Sequence, residues 1–358
     1  CLKAYKVYGD GSNLTNVPGF SPDDDENLVA GFNAGANFDG TSACYNVILG
    51  DNAGYCITSG SYNIAFGYNS LGSAANTANC NIALGINAGQ CLTSGVNNVF
   101  LGSRPGGGTN NITGWNNILL GTNAGQSISS GCSNVIMGIG AAEELTTGYN
   151  NVILGDGAGC KSNTNLNIFI GRYTAKCATG DNNIFMGCDA ARCDAGSYNV
   201  SIGVKAGYGS AGFTNDGGCN IFIGCEAGRV VSTGDNNIAL GTCAMGGAIV
   251  TGCYNLAFGV WAGQEVTSGC HNTLFGFSAG KLITTGTSNI FIGCEAGEGT
   301  TTTGCNVAIG HEAGKGNTGE HNLLLGTNAG SATTAGNYNV ALGYLSQRCF
   351  STGCCNIS

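Results

Sequence analysis

An asparagine, an apolar residue, two further residues and a glycine recur along the chain in nineteen copies, from Asn27 to Asn339, with Thr273 the one polar residue after the Asn, at steps of 16 to 21 residues that are mostly 17. The nine letters NIFIGCEAG occur twice without change, at Asn220–Gly228 and Asn289–Gly297. A fixed period of this length marks a stacked repeat architecture, in which each copy is one structural unit. Positions are counted below from the repeat asparagine as position 0. In the copy at Asn289, Ile290 and Ile292 at positions 1 and 3 project to one face of a strand, and Phe291 at position 2 projects to the other. Position 3 is never polar, and position 2 is polar only at Ser201. A strand covered on one face alternates with polar residues, so these strands are expected to be buried on both faces.

The rest of the copy fits a thin coil. Position 4 is Gly in every copy, which argues for a backbone angle or a close approach that a side chain forbids. Position 7 is small and mostly Ala, and position 8 is Gly in thirteen copies. Turn letters such as Thr58-Ser59-Gly60 and Thr146-Thr147-Gly148 then lead back to the next Asn. The pattern predicts an all-β fold: an elongated parallel β-solenoid, or β-roll, of about 19 coils of about 17 residues over residues 27–358. Residues 1–26 precede it as a cap or connector, and the buried asparagines are expected to form a side-chain ladder. A further copy starts at Asn356-Ile357-Ser358 and stops, and the first residue is Cys1, which reads as a processed chain or the visible part of a longer one.

A single thin coil has one interior, so the second apolar face needs a cover from outside. Nineteen coils at about 4.8 Å make a rod of roughly 90 Å, and an apolar stripe of that length far exceeds what a soluble monomer exposes. Parallel association of identical chains buries it, with closed rotational symmetry as the usual solution. Position 2 is taken as the oligomer face, with Phe100, Phe169, Phe185, Phe222 and Phe291 as its bulky residues. The same pattern admits the reverse, with positions 1 and 3 at the axis.

Composition sharpens this picture. With 64 Gly, 3 Pro and 9% charged residues the chain is too apolar to be disordered and too Gly-rich to be helical. A net charge of −9 without a Lys/Arg cluster points away from nucleic acid. No apolar run approaches the length of a membrane span. No cofactor is implied and no enzymatic activity is expected: the three histidines, His271, His311 and His321, fall at variable positions, and no Ser/His/Asp or Cys/His set recurs in the register. Gly310 to Gly316 contains Gly-Lys but lacks the spacing of a phosphate-binding loop. The acidic run Asp23-Asp24-Asp25-Glu26 fits either a solvated cap on the open end or a hard-cation site.

The 20 cysteines favour equal positions in successive copies. Neighbouring coils bring equal positions to about 4.8 Å, within disulfide range. Cys253 with Cys270 and Cys177 with Cys193 meet this condition, and Cys349 with Cys354 could staple one turn. Free thiols acting as small apolar residues fit as well. Cys294, Glu295, His311 and Glu312, at positions 5 and 6 of successive copies, form a weak candidate metal cluster, since these positions vary elsewhere.

Units such as Asn237-Ile238-Ala239-Leu240-Gly241 and Asn306-Val307-Ala308-Ile309-Gly310 resemble the head repeats of trimeric autotransporter adhesins. Longer units with Ala-Gly and a Thr-Thr-Gly or Thr-Ser-Gly turn look similar to repeats in tail-fibre proteins of phages and related viruses. Gly9-Asp10-Gly11-Ser12-Asn13-Leu14-Thr15 also resembles a short phage-fibre motif. The resemblance implies a homotrimer and a fibre shaft in a virion, presenting a host-attachment tip. The partners implied are two further copies of the chain and a host-cell receptor or glycan contacted outside this chain. An extracellular adhesin or filament subunit of a cell surface is the alternative. The repeat here is longer than the autotransporter one and far richer in Cys.

Overall fold

A computed structural model describes residues 23–72, 75–209, 216–332, 336–348 and 353–358. Most of the 1–26 segment, with the Gly9–Thr15 motif, lies outside the described residues, as does Cys349. Each copy contributes one strand of three residues, from β1 (Leu28–Ala30) to β19 (Val340–Leu342), and all nineteen join one parallel sheet. Each strand pairs with that of the next coil, position for position: Phe222 on β12 (Ile221–Ile223) lies beside Ala239 on β13 (Ile238–Leu240). The described residues contain no helix, and none long and apolar enough to cross a membrane. The all-β solenoid expected from the period is the observed fold.

Corners close each coil at fixed letters. In the coil of Asn220, Gly224 ends the strand at φ +136°, and Glu226 and Gly228 follow at +58° and +57°. Cys219, just before the Asn, sits at +59°. These left-handed residues turn a chain of about 17 residues through a full circuit, after which the ladder bonds of the next coil begin.

The asparagines form the expected ladder. Asn289 is fully buried; its backbone N–H and Nδ2 both donate to Asn272 Oδ1, at 3.1 and 3.0 Å, and Nδ2 also donates to the Thr303 carbonyl at 2.9 Å. Asp23 starts the ladder, since Asn27 donates its N–H to Asp23 Oδ1 at 2.7 Å and its Nδ2 to Oδ2 at 3.1 Å. One carboxylate of the acidic run thus supplies the acceptor that a preceding Asn would have supplied.

The interior settles which apolar face is which, and it corrects the assignment of position 2. Phe100, Phe169, Phe185, Phe222 and Phe291 are enclosed within their own coils at 0 to 1% exposure, so they are not an oligomer face. The chain curls toward the position-2 side, and the small residue at position 7 with the Ile, Leu or Val near position 11 completes the lining, as in Ala53 and Ile57. Volumes compensate across this lining. Where position 2 is alanine in paired coils, Ala65 with Ala83 and Ala239 with Ala257, position 8 of the first coil of each pair is Leu71 or Met245 in place of the usual Gly, and both are fully buried. The cavity that two alanines would leave is filled from the opposite wall.

The core has one polar interruption. Ser201 on β11 (Val200–Ile202) separates the apolar cluster ending at Ala191 from the one beginning at Ala206, and its Oγ has no hydrogen-bond partner among the described residues. Asp194, one coil earlier, is completely buried; burial pushes its carboxyl well above the ordinary 3.8, with the Asp216 charge adding to the rise and hydrogen bonds from the Gly196 N–H and Asn199 opposing it. Asn317 holds the equivalent bond to the Gly319 N–H at 2.7 Å, so an amide fits this corner. The folded chain therefore retains a proton at Asp194 that the unfolded chain releases near pH 4. Stability falls as pH rises from about 4 to the raised folded-state pKa and then levels off. Asp194→Asn is expected to flatten that slope and raise the neutral-pH denaturation midpoint. Urea titrations between pH 4 and 9 check this, and identical pH slopes for the two proteins would sink it.

Candidate functional site

With position 2 turned inward, positions 1 and 3 form the outer surface of the sheet. Both are apolar apart from Thr273 while remaining open to solvent: Phe66 is 57% exposed, Phe275 52% and Leu342 52%, and Ile64, Leu101, Ile118, Met137, Phe258, Ile290 and Ile309 are exposed as well. The stripe widens at its rims. Just before the repeat Asn, Tyr45 stacks on Tyr62 at 5.0 Å, Tyr254 on His271 at 5.2 Å and His321 on Tyr338 at 4.9 Å. At position 5 stand Tyr68, Ile86, Ile139 and Phe277, all exposed. Within the stripe Phe258 stacks on Phe275 at 5.3 Å. A strand of three residues is about 10 Å long and eighteen coil spacings span about 86 Å, so the sheet face alone offers on the order of 850 Å². Monomers expose patches of a few hundred Å², and a standard protein interface takes about 800 Å² from each partner.

The candidate metal cluster is not assembled. Lys315 Nζ occupies the centre of that patch, ion-paired with Glu295, with Glu298 at 3.0 Å and with Glu312 at 3.1 Å. Hydrogen bonding to Lys315 holds the Glu295 carboxyl below its ordinary value, and the same contacts raise the lysine. His311 stands 4.0 Å from Glu312 at the rim, and Cys294 is exposed. An ammonium already engages the carboxylates that a cation would need. No group of three or more His, Cys, Asp or Glu among the described residues is arranged to hold a metal ion.

The proposed disulfides are likewise not formed: Cys177, Cys193, Cys253, Cys270 and Cys354 are free thiols. Cys349, the suggested partner of Cys354, lies outside the described residues. Equal positions on parallel coils send their side chains the same way, whereas a disulfide needs them to converge. Cys253 Sγ instead accepts the Asp235 N–H at 3.3 Å, and Cys270 Sγ accepts the Cys253 N–H at 3.1 Å. The same acceptor role, two residues before the repeat Asn, falls to Ser61 Oγ, Asn79 Oδ1, Asp181 Oδ1, Asp235 Oδ1 and Asn337 Oδ1 in other coils. Cysteine is one of four short acceptors used there, and the mixture of Ser, Asn, Asp and Cys at one position was the sequence signal for it. Cys177 and Cys193 do touch: burial and a hydrogen bond to the Cys177 thiol push Cys193 up to about 11.

These features define a repeat β-solenoid protein: a rod with a closed apolar interior, an asparagine spine and an open apolar stripe along one side. No protein-family model matches the chain, and no curated protein is similar to it.

Proposed function

We propose that the chain is a shaft segment of a viral or phage fibre, assembled as a parallel homotrimer around the stripe formed by positions 1 and 3, and that it holds a host-attachment tip away from the particle. The observation that carries this reading is the apolar stripe that runs along one side of the rod, with Thr273 its one polar residue. Such a stripe calls for a partner of equal length and equal repeat, and a second copy of the same chain meets both conditions. Closed symmetry buries the stripe without leaving a growing edge. The rod form supports a spacing role: backbone ladders, the Asn spine and the core all repeat along one axis. The resemblance of the repeat units to phage tail fibres supports the virion as their setting.

Light scattering on the purified chain is expected to give three times the monomer mass, and a monodisperse monomer would overturn the assembly. Phe258→Asp is expected to lower the mass to that of a monomer while leaving the β-sheet circular dichroism in place, because it sets three carboxylates near one axis without counter-charges. Phe222→Asp, one strand position inward, is expected to unfold the coil instead. Equal yields of normal trimer from both variants would refute the assignment of faces. Mass spectrometry of purified particles tests the setting, where recovery of the chain only from a cell-surface fraction would favour a cellular adhesin.

A further inference from the structure

The cysteines that are exposed are unevenly placed on this surface. Cys80, Cys219 and Cys305 stand just before the repeat Asn, and Cys225 and Cys294 stand at position 5, so they line the two rims of the apolar stripe. One coil carries a cysteine on both rims: Cys219 and Cys225 bracket β12, and both are exposed. Resting on the parallel assembly proposed above, we infer that Cys219 of one chain and Cys225 of the next form an inter-chain pair, which closes into a covalent ring when the fibre meets a disulfide oxidant.

The argument is one of symmetry and reach. In any parallel association with rotational symmetry about the rod axis, the leading rim of each chain meets the trailing rim of its neighbour at the same coil level. The partner of Cys219 is then Cys225 of the adjacent copy, and each chain contributes one residue to each of two bridges. The two thiols cannot meet within one chain: strand β12 and its flanks stand between them, and three extended residues alone span about 10 Å, against an upper limit near 7 Å for a disulfide. Neither has a better partner on its own rim. Cys219 lies between Tyr198 and Asn236, and Cys225 between Val204 and Thr242. The nearest other thiol, Cys243, is directed to Glu226 Oε2 at 3.9 Å. The apolar stripe between the rims supplies the occupant, since its area matches one side of a standard interface.

The chemistry needs a two-electron acceptor, here a small-molecule disulfide such as oxidised glutathione. The Cys219 thiolate attacks one glutathione sulfur, forming a mixed disulfide and releasing one reduced glutathione. The neighbouring Cys225 thiolate then attacks the Cys219 sulfur, forming the Sγ–Sγ bond and releasing the second. The two thiol protons pass to the two glutathione molecules through solvent.

The test is oxidation of the assembled full chain with oxidised glutathione, followed by non-reducing denaturing electrophoresis and peptide mapping. A covalent trimer band is expected, with the Cys219 peptide linked to the Cys225 peptide. Cys219→Ser and Cys225→Ser are each expected to abolish the band while light scattering still reports the assembled mass. Co-expression of the two variants is expected to restore covalent dimers, which only a bridge between different chains can do. An assembled trimer that stays uncrosslinked, or a Cys225–Cys243 link within one chain, would overturn the inference and leave the shaft reading standing. A covalent ring of two chains would keep the pairing and overturn the trimer. A monomer before oxidation would overturn both.

Discussion

Gly224→Ala is expected to split the rod into two separately melting halves, at a local cost of about 1 to 3 kcal/mol from backbone conformation alone, with the clash against the next coil added to it. Gly224 sits at φ +136°, where L side chains are almost never found, and a Cβ built there would lie 2.6 Å from the Gly241 carbonyl oxygen and 2.7 Å from its carbon. Those atoms belong to the next coil and cannot move aside, because the ladder fixes the coil spacing: the Gly241 N–H bonds the Ile223 carbonyl at 2.8 Å. The strain can be relieved only by opening the contact between the two coils. In a linear array each unit touches only its neighbours, so one broken contact uncouples what lies on either side. Thermal unfolding at fixed protein concentration is expected to change from one transition to two. A single transition at the original midpoint would show that the corner tolerates a side chain.

Asn289→Leu is expected to destabilise by about 2 to 6 kcal/mol, because it orphans two buried polar groups, the Thr303 carbonyl and the Asn306 N–H, while Asn306 Nδ2 keeps the Gly319 carbonyl at 3.0 Å. Leucine keeps the branched outline of asparagine but removes the donor to the Thr303 carbonyl and the acceptor used by the Asn306 N–H at 3.1 Å and by Asn306 Nδ2 at 3.4 Å. No water reaches these groups, since Asn289 is fully buried and Asn306 nearly so. Exchange of the Asn306 amide with solvent deuterium is expected to accelerate strongly, together with a lower denaturation midpoint. A change below about 1 kcal/mol would mean that the coils hold without the spine, contrary to the usual cost of stranded buried groups.

The two effects share an origin. Position 0 and position 4 repeat in every copy because both are fixed by contacts between coils, where a neighbouring backbone dictates what can stand. The variable positions face either solvent or a lining whose total volume is conserved. Ala239 is tolerated because Met245 fills the space it leaves, so neither residue is constrained alone.

The sequence by itself determined the period, the strand in each copy, the parallel stacking, the buried asparagine ladder and the need for glycine at position 4. All of these follow from letters that repeat, and each repeat is an independent statement of the same environment. Only the tertiary structure decided which apolar face lies inside. Positions 1, 2 and 3 are apolar in nearly every copy, with Thr273 and Ser201 the two exceptions, so their alternation carries no sign, and the sign comes from the left-handed corners at Glu226 and Gly228, which curl the chain toward Phe222. The exchange of Gly for Leu71 opposite Ala65 and for Met245 opposite Ala239 was the trace of that choice in the letters. The fate of the cysteines and of the Glu295 patch also waited for the fold. Spacing brings equal positions near each other, but the direction of each side chain decides whether Cys270 Sγ meets a thiol or the Cys253 N–H, and whether Lys315 or a metal ion sits among the carboxylates.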